Sequence, residues 1–478
     1  MSVILVPKRS VRRLSTEDAK DIGVDAYTYL YPLVLMNVAR RVCINHPLGA
    51  KPGFGPEGMF HHVREFPDDT TRQSIRANFD MLCSFAWLDL SKGPHAISVP
   101  VTEGHYYAMA LYDMWTDAFA TIGTRTIGSD ARCFAIVPPG WNGELQDGLE
   151  RIQAPTTRIW INLQIQTKGP KNYPAIHELQ NGFTVRPLSE TKRLLPPTQK
   201  IDPAVDIYTS PTDQVQAMAA GGFFKLAADF MKTDMSHATD WSILARMRRI
   251  GFEPGKAFHI KKAPAAVQSE LDESAREAHR RMARKISAVT PVVNGWQLDT
   301  CSIGVYGNDY LKRAAVASVN LGALPSADAI FPTTVATTNG SVLTGRNSYV
   351  LHFRKEELPP VHGFWSISMY DSDGYPARNP LNRFIIRDYS PLNYNLDGSL
   401  DIYIQKDQPA ADMIPNWLPS PEGPLMIMLR LYSPRAGVFD GGWAPPLVQQ
   451  AHNEDAESKP PYAVPKIEIS DAGVATTH

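Results

Sequence analysis

The chain shows two kinds of hydrophobic pattern, and they alternate along its length. From about residue 60 to 190, short apolar runs are separated by Gly, Pro, Asp and Asn at strand-length spacing, which is typical of a β-sandwich. From about residue 212 to 324, apolar residues recur at helical spacing. Strand-length runs return from about residue 340. The pattern therefore predicts β structure, then helices, then β structure again.

An N-terminal helix is predicted before the first β-rich stretch. Ser15 followed by Asp18 resembles a capping box at its start, and helical spacing continues to about Arg41. Pro32 falls inside this helix, where we expect a kink. The most apolar part, residues 26–39, is too short to span a bilayer.

The composition is that of an ordinary globular protein. The 478 residues, 43% of them hydrophobic and 20% charged, predict two or three domains. The net charge of −1 and the lack of a long basic run argue against nucleic-acid binding. The four cysteines lie far apart, which favours free thiols over a disulfide scaffold or zinc cluster. No stretch resembles a secretion signal, so we expect a cytoplasmic protein that does not enter the membrane.

The common nucleotide-binding and catalytic signatures are absent from the sequence. Gly53, Gly55 and Gly58 formally fit G-x-G-x-x-G. Pro56, however, lies where a helix would need free N–H groups, so a loop is the better interpretation. There is no nucleophile elbow, Walker A motif or H-E-x-x-H motif. Cys83 lies in an apolar run, and packing explains it better than a nucleophilic role does.

Two polar stretches precede the first long strand. If residues 59–66 are extended, His62 and Arg64 lie on one face. That arrangement suits acid/base chemistry beside an anion anchor and, equally, a surface strand edge. Asn78 and Asp80 come just before an apolar strand, where polar residues form turns or bind ligands on sandwich scaffolds.

Two segments of the chain resemble each other. Each has an aromatic-rich strand that ends in Tyr-Asp, then an irregular polar loop, then an Arg. This repetition predicts two related β-domains, each with a Tyr-Asp pair as a scaffold corner at a strand end. The matching residues are Tyr112, Asp113 and Arg125 in the first segment and Tyr370, Asp371 and Arg383 in the second.

Two blocks of sequence resemble the paired domains of unknown function (DUF) 1254 and 1214. The first covers roughly residues 20–190 and includes "YLYPLVLMN", "FHHVREF" and "NFDMLCSFAWLDLS". The second covers roughly residues 330–448 and includes "LPPVHGFWSISMYDSDG", "NPLNRF" and "NWLPSPEGPLMIMLRLYSP". The resemblance implies two β-sandwich or jelly-roll-like domains joined by a helical segment. It implies no particular chemistry.

The chain departs from this family at one motif. Relatives typically read Asn-x-Asp-Thr-Leu-Tyr-Ser, whereas this chain reads Asn-Phe-Asp-Met-Leu-Cys-Ser. Asn78, Asp80 and Ser84 are retained, but Met81 and Cys83 replace two hydroxyl-bearing residues. Any role of those hydroxyls does not carry over, and we expect a more apolar pocket.

Three segments are predicted from these observations. Residues 1–195 hold the N-terminal helix and the first β-sandwich, and residues 196–325 form a helical connection. Residues 326–478 hold the second β-sandwich and a C-terminal tail.

The leading functional hypothesis is an enzyme acting on a small anionic or polar organic molecule, with a hydrolase favoured over a lyase. No cofactor is predicted, although Asp and His side chains could bind a single divalent metal ion. The competing hypothesis is a non-catalytic ligand-binding or assembly module, and homo-oligomerisation fits both. The predicted catalytic residues are His62, Asp80, Tyr112 and Asp113; the predicted substrate-binding residues are Arg64, Asn78, Trp115, Tyr370, Asp371 and Arg383.

Overall fold

The computed structural model describes residues 14–67, 75–189, 199–288, 291–379 and 381–451. The predicted C-terminal tail, beyond residue 451, lies outside the described residues. Helices account for 29% of the described residues and strands for 24%, in several sheets with an N-terminal helix. The predicted combination of β-sheets and helices is confirmed in this outline.

Eight α-helices lie within the described residues. They are α1 (Thr16–Ile44), α2 (Thr124–Ile127), α3 (Tyr173–Gly182), α4 (Pro211–Gln216), α5 (Ala220–Phe230), α6 (Trp241–Arg248), α7 (Ala265–Ala288) and α8 (Tyr310–Val319). None of these described helices has both the length and the apolar character needed to cross a membrane.

Helix α1 is the centre of the helical region. It begins where predicted, because the Ser15 hydroxyl accepts a hydrogen bond of 3.0 Å from the Asp18 amide. Pro32 lies inside the helix. Apolar residues are buried on every side of α1, which is the pattern of an enclosed helix. It packs against α5, α7 and α8, and these helices share one hydrophobic core.

Strands β1–β9 form the first β-region, with two sheets. The five-stranded sheet has the order β1-β2-β8-β4-β5 and the four-stranded sheet the order β7-β6-β3-β9. Apolar side chains from both sheets share one core. The strands are β1 (His61–His62), β2 (Met81–Asp89), β3 (His95–Val99), β4 (Tyr107–Tyr112), β5 (Ala118–Gly123), β6 (Arg132–Val137), β7 (Glu150–Gln153), β8 (Arg158–Gln166) and β9 (Thr184–Pro187).

Strands β10–β20 form the second β-region, also with two sheets. The larger follows the order β10-β11-β13-β19-β15-β16, with β12 paired to β19, and the smaller is β18-β17-β14-β20. Both contribute to a second core. The strands are β10 (Val292–Val293), β11 (Trp296–Gln297), β12 (Ala329–Ile330), β13 (Thr333–Thr334), β14 (Tyr349–Phe353), β15 (Trp365–Asp371), β16 (Ile385–Arg387), β17 (Leu400–Gln405), β18 (Trp417–Pro419), β19 (Leu425–Tyr432) and β20 (Val448–Gln450).

The segment before β2 joins the two β-regions. The Arg76 amide donates to the Gly374 carbonyl at 2.7 Å, and the Tyr370 hydroxyl donates to the Ala77 carbonyl at 2.6 Å. Phe79 packs in a small apolar cluster with side chains of β15 and β19. This segment of the first region therefore lies on the larger sheet of the second.

Candidate active site

Asp80 is fully buried where the two β-regions meet. Its carboxylate accepts hydrogen bonds from Ser366 Oγ at 2.6 Å, Arg387 Nε at 2.9 Å and Tyr432 OH at 3.2 Å. Arg387 also donates to the Phe79 carbonyl. All three side-chain partners belong to the second region, so Asp80 anchors one region to the other.

A second ion pair crosses the same junction, and here the arginine comes from the first region and the aspartate from the second. Arg125 of the first region binds Asp328 ahead of β12, with Nε 2.7 Å from Oδ1. Each β-region thus contributes one arginine and one aspartate. Asp328 is 1% exposed, whereas the Arg125 side chain is 34% exposed, so this pair is only partly buried. The two pairs fix how the regions face each other.

Between the two regions lies a cleft of about 660 Å³, a volume within the usual range for small-molecule sites. Its lining residues neighbour both ion pairs in the sequence: Thr124 precedes Arg125, and Asp388 follows Arg387. The polar side chains of the cleft come from both regions. They are Glu103, His105, Gln166 and Lys168 from the first and His362 and Asp388 from the second.

Asp388 is the unusual group in this cleft. Its Oδ2 accepts a hydrogen bond of 3.2 Å from the Trp365 amide, whereas its Oδ1 is buried and has no hydrogen-bonding partner among the described residues. Burial raises the pKa of Asp388 to about 6; the Trp365 and Tyr389 amides oppose the rise, and the nearby charge of Asp80 adds to it. Asp388 therefore changes protonation near neutral pH, as an acid/base catalyst must.

Aromatic rings form one wall of the cleft. Phe364 makes edge-on contacts with Tyr106, at a centroid distance of 5.6 Å, and with Tyr389, at 5.8 Å. Tyr389 is 36% exposed, and burial of its hydroxyl raises its pKa to about 12. Gly363 brings this wall close to the first region. A Cβ at that position would lie 2.8 Å from the Tyr432 carbonyl oxygen and 3.0 Å from the Tyr106 ring.

His62 and Arg64 lie in a different place, within the first β-region. His62 Nδ1 is 2.8 Å from Ser84 Oγ, which also accepts a hydrogen bond from Gln180 Nε2 at 3.0 Å. Arg64 donates to Gln180 Oε1 and to the His177 carbonyl, both at 3.0 Å. Burial, and then the charge of Arg64, lowers the pKa of His62 to about 4. His62 is therefore neutral at pH 7, and it does not line the interdomain cleft.

Asp113 lies at the other end of the five-stranded sheet from Asp80. Asp80 directly precedes Met81, which pairs with Gln166, whereas Asp113 directly follows Tyr112, which pairs with Trp160. Gln166 comes six positions after Trp160 in β8, which corresponds to roughly 20 Å along an extended strand. Thus His62, Asp80 and Asp113 have three different sets of partners, and the structure does not bring these predicted catalytic residues together.

The side chain of Asp113 binds a histidine from the helical region. His237 Nε2 lies 2.5 Å from Asp113 Oδ2, and His237 Nδ1 lies 3.7 Å from Asp117 Oδ2. Burial lowers the pKa of His237, but the hydrogen bond to Asp113 and its charge outweigh burial, so the net shift is upward. Among the described residues, these three side chains could hold a metal ion. Arg313 Nη2, however, is 2.8 Å from Asp117 Oδ2, so the two carboxylates already have an arginine partner in addition to the histidine.

Tyr112 and Trp115 contact the helical region and the segment that follows α8. The Tyr112 hydroxyl donates to the Gly322 carbonyl at 2.8 Å. Trp115 stacks on Tyr29 at a centroid distance of 4.7 Å, and its Nε1 donates to the Met235 carbonyl at 2.8 Å. Both side chains are fully buried, so their observed role is packing.

Asn78 before β2, and Asp371 and Arg383 at the second corner, are also held by backbone groups. Asn78 accepts hydrogen bonds from the Asp80 and Met81 amides, as expected for a turn. Asp371 accepts hydrogen bonds from amides in its own loop. Arg383 donates to two carbonyls, of Ile414 at 2.7 Å and of Trp417 at 2.9 Å. None of the three lines the cleft.

Sequence reasoning missed the residues that line the cleft. Asp388 and Tyr389 follow the short strand β16, and nothing in the local pattern separates them from an ordinary turn. One feature of the sequence could have indicated the cleft: both of the similar segments carry a Gly and a His just before the strand. His105 follows Gly104 in the first, and His362 precedes Gly363 in the second. All four residues line the cleft.

The structure is that of a protein of two β-regions and a helical region, with a cleft where the β-regions meet. Two family models, each described as a protein of unknown function, match the chain: DUF1254 over residues 58–187 and DUF1214 over residues 328–436. The chain belongs to the family of proteins in which these two domains are paired, which confirms the resemblance seen in the sequence.

Solved structures that resemble this chain are also found. A crystal structure of the VPA0106 protein from Vibrio parahaemolyticus matches with a TM-score of 0.70 at 20% identity, over 91% of this chain and 100% of that one. A putative uncharacterized protein from Burkholderia cenocepacia matches with a TM-score of 0.41 at 11% identity, over 91% of this chain and 94% of that one. No curated protein matches the chain. The first likeness shows the fold and says nothing about activity.

Proposed function

We propose that this protein is a hydrolase that acts on a small polar organic molecule in the cleft between its two β-regions. The observation that carries the proposal is the Asp388 carboxyl, which lines the cleft, has a buried Oδ1 with no partner in the described part of the chain, and has a pKa raised to about 6. Perturbed carboxyls in a ligand-sized cleft are frequent at catalytic sites. As part of the proposal, each pair of sheets is a β-sandwich of the jelly-roll type, a scaffold that leaves its loops available for such a site.

The proposed chemistry is general acid/base hydrolysis. The Asp388 carboxylate takes a proton from a water molecule as the water oxygen bonds to the acyl carbon of an ester, lactone or amide. The protonated Asp388 then gives that proton to the leaving oxygen or nitrogen as its bond to the acyl carbon breaks. His105, Lys168 and His362 line the cleft and supply hydrogen-bond donors for the polar parts of the substrate.

The non-catalytic alternative is a binding module with the same cleft. One observation favours it: Asp80, Tyr112, Asp113 and Arg383 are all engaged in hydrogen bonds within the protein. In that case the cleft holds a ligand without changing it.

The test measures hydrolysis of a panel of esters, lactones and amides by the wild type, Asp388→Asn and Asp407→Asn. Asp407 is exposed, belongs to the same β-region and lies outside the cleft lining, so it is the matched control. We expect D388N to lose at least about 100-fold in kcat, the usual contribution of a general acid or base, and D407N to retain wild-type turnover. Equal turnover by D388N and the wild type would overturn the proposal. Binding of panel compounds without turnover by the wild type would favour the binding module.

A further inference from the structure

Arg387 and Asp388 are adjacent in the chain, yet they are not paired. Arg387 Nε binds Asp80 at 2.9 Å, and its guanidinium also donates to the Phe79 carbonyl. Both acceptors belong to the first β-region. Asp388, the next residue, has a buried Oδ1 that no described residue contacts through a hydrogen bond. Arg387 is thus the cation closest to Asp388 in sequence, yet it is bound by the first β-region.

We propose that Asp80 is a positioning residue, which holds Arg387 away from Asp388 so that the cleft carboxyl has no cationic partner. This inference rests on the proposed catalytic role of Asp388. It also gives the contact between the two β-regions a function. Asp80 belongs to the first region, whereas Asp388, the carboxyl that it keeps apart from Arg387, belongs to the second.

The geometry supports this role in two ways. Asp80 is fully buried and receives three side-chain hydrogen bonds, from Ser366, Arg387 and Tyr432, so its position is fixed. Arg387 has 12% of its side chain exposed, and a guanidinium so enclosed needs an anionic partner. Without the charge of Asp80, we expect the guanidinium to turn towards the carboxyl of Asp388, the next residue in the chain.

The effect on Asp388 has a definite sign. The charge of Asp80 adds to burial in raising the pKa of Asp388. An arginine paired with Asp388 would lower that pKa, because it would stabilise the charged form. Among the described residues, the titratable and charged side chains around Asp388 are Tyr389, Tyr394 and His362 from the second region and Asp80, Glu103, His105 and Lys168 from the first, whereas Arg387 is directed to Asp80.

Infrared difference spectra recorded across pH test the inference without any substrate. The carboxylic-acid band that disappears in D388N belongs to Asp388 and gives its titration midpoint. In the wild type we expect a midpoint near pH 6. In Asp80→Asn the midpoint should fall towards about pH 4, the ordinary value for aspartate.

Two further variants separate this effect from simple loosening of the interface. Ser366→Ala removes a hydrogen bond to Asp80 but keeps both charges, so its midpoint should stay near that of the wild type. The double variant D80N/R387Q has no arginine to pair with Asp388, so its midpoint should return towards that of the wild type. Because this double variant removes both members of the Asp80–Arg387 ion pair, it leaves neither charge buried without its partner, which favours a folded interface.

An unchanged midpoint in D80N would overturn the inference, as would a wild type without an Asp388 band that titrates near pH 6. A midpoint that falls equally in D80N and in D80N/R387Q would overturn it as well, because the arginine would then have no part in the change. The proposed hydrolase fails separately, through equal turnover by D388N and the wild type.

Discussion

Asp113 and Asp371 organise two loops with the same set of hydrogen bonds. In each, Oδ1 accepts from the amides two and four residues later: Trp115 and Asp117 in the first loop, at 2.8 and 3.1 Å, and Asp373 and Tyr375 in the second, at 3.0 and 2.8 Å. The backbone amide of each Asp also donates to the carbonyl four residues on. The repetition predicted from the sequence is therefore a repeated structural corner.

The two corners differ at the residue with positive φ, and this difference has a measurable effect on stability. Thr116 has φ of 71° and Gly374 has φ of 85°. A β-branched residue is strained in this conformation, whereas glycine is not. We expect Thr116→Gly to raise the free energy of unfolding by about 1 kcal/mol, measured by chemical denaturation. Gly374→Ala is the matched reverse change and should lower it. A destabilised T116G would show that the threonine is not strained.

His237 should make the stability of the protein depend on pH. Its folded pKa lies above the ordinary value, because Asp113 outweighs burial. The stabilisation is therefore complete below the unfolded pKa of about 6.5 and is lost as pH rises through the higher folded pKa. We expect His237→Gln to lower the melting temperature more at pH 5.5 than at pH 9. His259→Gln, at an exposed position, is the control and should show no such difference. An equal loss for H237Q at both pH values would contradict the assignment.

The close approach of the two β-regions at Gly363 should tolerate no side chain. An added methyl group would lie within 3.0 Å of both the Tyr432 carbonyl and the Tyr106 ring, so either the wall of the cleft or the first region must move. We expect Gly363→Ala to cost about 1–3 kcal/mol, as overpacking does, in a thermal unfolding experiment. Gly423→Ala is the matched control, because nothing lies within 4 Å of its added Cβ. Equal stability of the two variants would show that the interface is loosely packed.

The sequence predicted the elements better than it predicted the site, for a physical reason. Apolar spacing identified the strands and helices, and Ser15 marked the first cap, because these are local properties. The repeated Tyr-Asp corner was also visible in the sequence. The cleft was not, because its groups meet only after folding: Asp80 and Arg387 are separated by 307 positions. Asp388 owes its raised pKa to burial at this junction, and no local pattern in the sequence encodes that.

Asp388 should lower the stability of the protein at neutral pH, in addition to any catalytic role. Its folded pKa of about 6 is above that of an unfolded aspartate, near 3.9. The folded state therefore holds the proton more tightly, and relative stability falls as pH rises from about 4 through about 6. D388N removes the cost of burying the charge. We expect this variant to be more stable than the wild type by about 1–2 kcal/mol at pH 8, a figure reduced for partial exposure of the carboxyl. The difference should be smaller at pH 4, where the wild-type carboxyl is also neutral.

Thermal unfolding of the wild type, D388N and D407N at the two pH values checks this. A D388N protein less stable than the wild type at pH 8 would mean that the Asp388 carboxylate is held by a favourable partner, and the acid/base proposal would lose its basis.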